Sequence, residues 1–82
     1  MVFLRRGYVP HNIPVERSVV FRRFGRPWTI PAWQVSCVEE WRDDDDGRTV
    51  VMVFPMAKPG VEVEDTFDDI DRAFTELKVS HD

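Results

Sequence analysis

The residues best suited to do chemistry in this chain are the acids of Arg42-Asp43-Asp44-Asp45-Asp46-Gly47-Arg48. Neighbouring carboxylates can hold a cation, and the sharpest form of that chemistry is the EF-hand loop, with acids at positions 1, 3 and 5, Gly at 6 and Glu at 12. With Gly47 at the glycine position, Asp44 and Asp46 fall correctly, but Arg42 and Val53 occupy the first and last ligand places. The segment therefore reads as a solvated hairpin tip of self-repelling charges. Asp43, Asp44, Asp45 and Asp46 remain candidates for meeting a basic partner surface. Zinc needs a cluster of Cys, His or carboxylate ligands, and Cys37, His11 and His81 show no such spacing. Cys37 reads as a buried, inert thiol. Nucleophilic catalysis needs a base beside Ser, Thr or Cys, and both histidines lie in terminal segments. The four glycines are scattered singly, so no phosphate-cradling loop forms. The carboxylates of 62–71 read as solubilising charges at a helix start. The chain is therefore expected to have no catalytic residue, no metal and no cofactor, and not to be an enzyme.

The basic counterpart is Arg22, Arg23 and Arg26, close to Trp28. Arginine beside an aromatic ring can serve single-stranded nucleic acid. The stronger expectation is pairing across strands with Glu39 and Glu40, or stacking on Trp28 or Trp41. A net charge of −4 argues against general nucleic-acid affinity. The charge is unevenly spread. Residues 1–38 hold six arginines against Glu16, a net +5, and residues 39–82 hold fourteen acids against five bases, a net −9. Such a distribution suits head-to-tail or heterologous contacts. Trp and Arg are typical anchors of protein interfaces, so Arg22, Arg23, Arg26, Trp28 and Trp33 are the candidate partner-binding residues, together with the four aspartates.

These residues must be positioned by a small fold. At 82 residues the chain has room for one core. Residues 1–17 contain Gly7, Pro10 and Pro14 and show no steady apolar period, which predicts an extended arm with one short strand near its start. Residues 18–82 are expected to form the domain. Ser18–Phe24 is rich in β-favouring residues, is broken at Gly25-Arg26-Pro27, and returns through Trp28-Thr29-Ile30. Trp33–Trp41 alternates, with Trp33, Val35, Cys37 and Trp41 on one face; Val38 is the exception on the other. Asp46-Gly47 signals a hairpin. Thr49–Phe54 is apolar on both faces and so belongs inside its sheet. Val61–Glu64 suggests an edge strand guarded by glutamates. Thr66–Val79 predicts a helix, with Thr66 as N-cap, Asp68 and Asp69 in the first turn, and Phe67, Ile70, Phe74 and Leu77 in one stripe. Lys78 and His81 fall at its far end. The sum is an α+β chain: an antiparallel sheet of three to five strands, one C-terminal helix and an extended N-terminal arm.

One helix covers one sheet face, and Val20, Phe24, Val51 and Val53 cannot all lie beneath it. The other face needs a cover from the arm, an identical subunit or a different protein. Val50–Phe54 is the longest apolar run, far too short to span a bilayer, and Arg5-Arg6 stops the apolar start of the chain before it can read as a secretory signal. One cysteine excludes an internal disulfide and suits a reducing cytosol.

The order of strand, glycine turn, strand ending in Glu-Glu, hairpin, strand and short helix resembles the small flagellar accessory proteins of the FlbD/SwrD type. The resemblance is carried by Phe21-Arg22-Arg23-Phe24-Gly25, Val35 to Glu40, Gly47 to Val53 and Val61 to Ile70. It spans roughly residues 19–78, and the arm, the Trp-rich second strand and the Pro55–Gly60 segment depart from it. It implies a non-enzymatic cytoplasmic protein linked to flagellar function. The expected role is a non-catalytic protein–protein interaction module in a larger assembly, with another protein or a second copy as partner. One alternative is a small acidic inhibitor of the phage anti-defence type, with Asp43–Asp46 imitating phosphates. Another is a phage structural component whose arm reaches a neighbouring subunit.

Overall fold

In the computed structural model, which describes residues 1–77, the chain is α+β, with six antiparallel strands preceding one helix. The strands are β1 (Val2–Tyr8), β2 (Ser18–Arg23), β3 (Arg26–Pro31), β4 (Val35–Asp43), β5 (Thr49–Pro55) and β6 (Val61–Val63); the helix is α1 (Phe67–Leu77). Four strands form one sheet in the order β1-β4-β5-β6, and β2-β3 form a separate hairpin. The two-sided apolar strand β5 is interior, and the glutamate-bearing β6 is an edge, as their patterns require.

The start of the expected arm is the opposite edge of that sheet. β1 pairs along β4 from Val2 opposite Asp43 to Tyr8 opposite Val38, with a bulge at Arg5. Its apolar residues follow no period because the bulge resets their alternation. Residues 9–17 connect it to the hairpin.

Strand β4 corrects the face assignment made from alternation. Residues Ala32–Gln34 form a 3-10 turn, so the strand begins at Val35 and not at Trp33. The register then shifts between Val35 and Cys37. This bulge places Val35 with Val38 and Glu40 in the interior, while Cys37, Glu39 and Trp41 face the other way. Val38, the apparent exception, is fully buried, and Cys37, expected in the core, is only half-buried.

Helix α1 starts as its residues dictate. Thr66 Oγ1 accepts from the Asp69 N–H at 3.1 Å, and Asp68 and Asp69 occupy the first turn. Phe67, Ile70 and Phe74 are buried, with Ala73 and Leu77 packed at the margin. The expected continuation through Lys78 to Val79, and His81, lie outside the described residues.

A single core lies between the four-stranded sheet and a layer made of α1 and the β2-β3 hairpin. Val38, Val51, Val53 and Val63 face Val19, Phe21, Ile30 and the helix stripe. Phe74 is its centre, with ring centroids 5.8 Å from Tyr8 and 6.4 Å from Phe21. The hairpin is fastened to the sheet where Glu64 N–H donates to Arg22 C=O at 2.8 Å. Val51 and Val53 lie under this layer. Val20 and Phe24 do not, with 54% and 86% of their surface exposed.

One buried charge sits at the core margin. Glu40 is only 5% exposed. Arg6 Nε donates to its Oε1 at 2.9 Å, and the same guanidinium reaches Asp68 at 3.0 Å and lies 4.4 Å from the Phe67 ring centroid. The cluster ties β1, β4 and α1 together and raises the pKa of Arg6, chiefly through Glu40 and then Asp68.

Candidate interaction surface

Register decides what the uncovered side of the sheet presents. Residues directly opposite one another in an antiparallel ladder share a face. Leu4 faces Trp41, and Trp41 faces Val50, so these three form a row across β1, β4 and β5. The next rows pair Glu39 with Met52 and Cys37 with Phe54. The five core-facing positions of β4 and β5 in this region (Val38, Glu40, Val51, Val53 and Pro55) are buried on the opposite face. Alternation along β5 therefore commits Val50, Met52 and Phe54 to the open side.

No described element covers this side. Trp41, Val50, Met52, Phe54 and Cys37 are half-buried, and Leu4 remains 47% exposed. Gly60 packs against the Phe54 ring so closely that a Cβ there would lie 2.6 Å from a ring carbon. Trp41 Nε1 donates to Glu39 Oε1 at 2.9 Å, which fixes the indole on the face. A cleft of about 210 Å³ runs between Val2, Trp41, Val50, Arg48 and Glu62 at its margin. The Cys37 thiol has its pKa raised by burial and then by Glu39, which lowers its thiolate fraction and slows, without abolishing, its reaction with alkylating agents.

The acidic tip is engaged within the chain. The Met1 α-ammonium lies 3.4, 2.9 and 2.7 Å from carboxylate oxygens of Asp43, Asp44 and Asp45. Asp45, then Asp44 and, less strongly, Asp43 raise the pKa of that amine. These three carboxylates converge closely enough to share a cation, and the cation in place is the chain's own amine. Asp46 accepts from the Arg48 N–H at 2.8 Å and shapes the turn.

The arginines also differ from expectation. Glu39 and Glu40 lie opposite Gly7 and Arg6 of β1, because β4 has β1 and β5 as neighbours, not β2. Among the described residues, the ion pairs of arginine involve Arg5, Arg6 and Arg72, while Arg22, Arg23 and Arg26 have no carboxylate within reach. Arg23, Arg26 and Trp28 do come together at the hairpin tip, where a shallow groove of about 590 Å³ runs between them, Phe24 and Pro27. Arg22 points to the other face of the hairpin, opposite Pro27. Trp33 sits apart, in the 3-10 turn at the base of the hairpin, and is exposed. Stacking is observed for Arg23, whose guanidinium carbon is 5.8 Å from the Trp28 ring centroid.

The candidates named from residue type omitted Leu4, Trp41, Val50, Met52 and Phe54, and also Phe24. The signal for Val50, Met52 and Phe54 was the two-sided apolarity of β5, whereas Leu4 and Trp41 join them only through the strand register. The signal for Phe24 was a Phe-Gly pair where a tight turn favours Asn-Gly. No family model, curated protein or solved structure matches the chain.

Proposed function

We propose that the chain is a non-catalytic protein–protein interaction module whose contact surface is the open side of the four-stranded sheet. The observation that carries this reading is the row Leu4–Trp41–Val50 with Met52 and Phe54 beside it, an apolar face on the side away from the helix. Apolar surface left in water contributes nothing to folding, and burying it against a second surface contributes roughly 25 cal/mol per Å². Trp and Met are enriched in interface cores, and a β-sheet face is already rigid, so little ordering entropy opposes binding. An arm reaching a neighbouring subunit is limited to residues 9–17, since 2–8 complete this chain's own sheet. The lone cysteine fits a cytoplasmic setting. The flagellar link implied by the sequence pattern rests on that pattern alone.

The test is affinity capture with two baits, the native sequence and the double variant Trp41→Glu, Met52→Glu, from cells that also make the untagged chain. The native bait should retain either the untagged chain or a distinct protein in fixed proportion, and the variant should lose it while keeping its circular dichroism spectrum. Identical captured sets with both folded baits would refute the assignment.

A further inference from the structure

The β2-β3 turn is built at a cost that the fold does not explain. Phe24 and Gly25 connect the strands with φ of 51° and 73°. A two-residue turn with both φ positive favours Asn-Gly, and a bulky aromatic residue there is a steric outlier. Burial does not compensate, since Phe24 is 86% exposed. Beside the turn, Arg23 and Arg26 stand directly opposite each other on one face. Like charges so placed repel, and neither has a carboxylate partner among the described residues. Arg23 Nε is buried without a hydrogen-bond partner.

The turn is nonetheless held firmly. Gly25 N–H donates to Glu64 Oε1 and Arg22 N–H to Asp65 Oδ1, both at 2.7 Å. The two carboxylates near the tip thus accept from backbone and not from the arginines. The Arg23 guanidinium carbon lies 5.6 Å from the Phe24 ring centroid and 5.8 Å from that of Trp28, which holds its fork in place. Strain concentrated at a braced, exposed turn is a mark of a binding element.

We propose that this tip is a preformed clamp for an acidic segment of a partner protein: a carboxylate seats between Arg23 and Arg26, and an adjoining apolar side chain packs on Phe24 and Trp28. A carboxylate there removes the repulsion between the two guanidinium groups and accepts their forked donors. The net charge of −4 and the nearby Glu64 and Asp65 repel an extended polyanion, which favours a local carboxylate over a nucleic-acid backbone. The inference shares with the proposed function only the premise that the partner is a protein, and its site is separate from the open sheet face.

The test uses fluorescein-labelled short peptides of alternating glutamate and leucine, read by anisotropy and by intrinsic tryptophan fluorescence, to which Trp28 contributes beside Trp33 and Trp41. An oligothymidylate of equal charge and a lysine–leucine peptide are the comparisons. The glutamate–leucine peptide should bind, more weakly as salt rises. Arg23→Gln and Arg26→Gln should each lower affinity about tenfold. Phe24→Asn should lower it while leaving a folded protein. Stronger binding of oligothymidylate, peptide binding unchanged in the arginine variants, or no peptide binding at millimolar concentration would each overturn the proposal. Met52→Glu should leave peptide binding intact, so loss of face-dependent capture and loss of peptide binding report on different sites.

Discussion

Replacing Phe24 by Asn should make the protein more stable although it removes a large side chain. At φ 51° the Cβ of an L-residue crowds the following carbonyl. This costs roughly 1–2 kcal/mol, and Asn tolerates the conformation better than most residues. The ring returns little, because it is 86% exposed. Its one aromatic contact is with the Arg23 guanidinium, 5.6 Å from the centroid, and such a contact at an exposed site contributes about 0.5–1 kcal/mol. Taken midpoint against midpoint, the balance favours Asn by about 0.75 kcal/mol, which for a domain of this size raises Tm by about 3–6 °C. Thermal melts followed by circular dichroism measure this, and urea titration should show a higher midpoint at unchanged slope. Phe24→Ala separates the two contributions: it loses the ring but keeps the Cβ at positive φ, so it should be no more stable than the native sequence. An unchanged or lower Tm for Phe24→Asn would refute the reasoning, since it would mean that folding itself requires the phenylalanine.

Phe74→Ala should cost about 3–5 kcal/mol, because Phe74 is fully buried at the junction of Tyr8, Phe21 and the sheet; urea unfolding measures it. Arg6→Ala should destabilise more than Glu40→Gln in the same assay, because removing Arg6 leaves the 5%-exposed Glu40 carboxylate with only the more distant Arg5. The Met1 amine should make the pairing of β1 sensitive to alkali. Asp45, Asp44 and Asp43 raise its pKa above the ordinary value of 8.0, so the folded state holds the proton more tightly. The resulting stabilisation is whole below about pH 8 and is lost as pH rises through the folded value. Stability measured from pH 7 to 10 should fall less steeply in Asp45→Asn than in the native sequence.

Much of the architecture was legible from periodicity. The helix stripe of Phe67, Ile70 and Phe74, the cap at Thr66 and the interior place of β5 depend on local residue order, and the structure repeats them. The face of β4 was not legible, because one bulged residue at Ser36 reverses the parity of everything after it. That reversal moved Val38 into the core and Cys37 and Trp41 onto the open side. The partners of the arginines depended on which strand neighbours β4. Strand order is a long-range property, and alternation within β2 or β4 carries no trace of it. In the sequence, the need for a cover on the second sheet face rests on Val20, Phe24, Val51 and Val53, but Val51 and Val53 lie in the core and the alternate residues of β5, Val50, Met52 and Phe54, make the open face. The residues that complete that face, Leu4 and Trp41, could be named only once the β1-β4 register was known.

Cys37 reports directly on whether the open side of the sheet is a contact surface. It is the chain's one cysteine, it is half-buried, and it lies on the open face beside Phe54. Its alkylation rate should be compared between dilute purified protein and native cells, at matched pH, for the native sequence and for Met52→Glu. If the face is a contact surface, Cys37 is protected in cells relative to dilute protein, and Met52→Glu removes the protection. Equal alkylation rates in cells and in dilute solution, unaffected by Met52→Glu, would contradict the account.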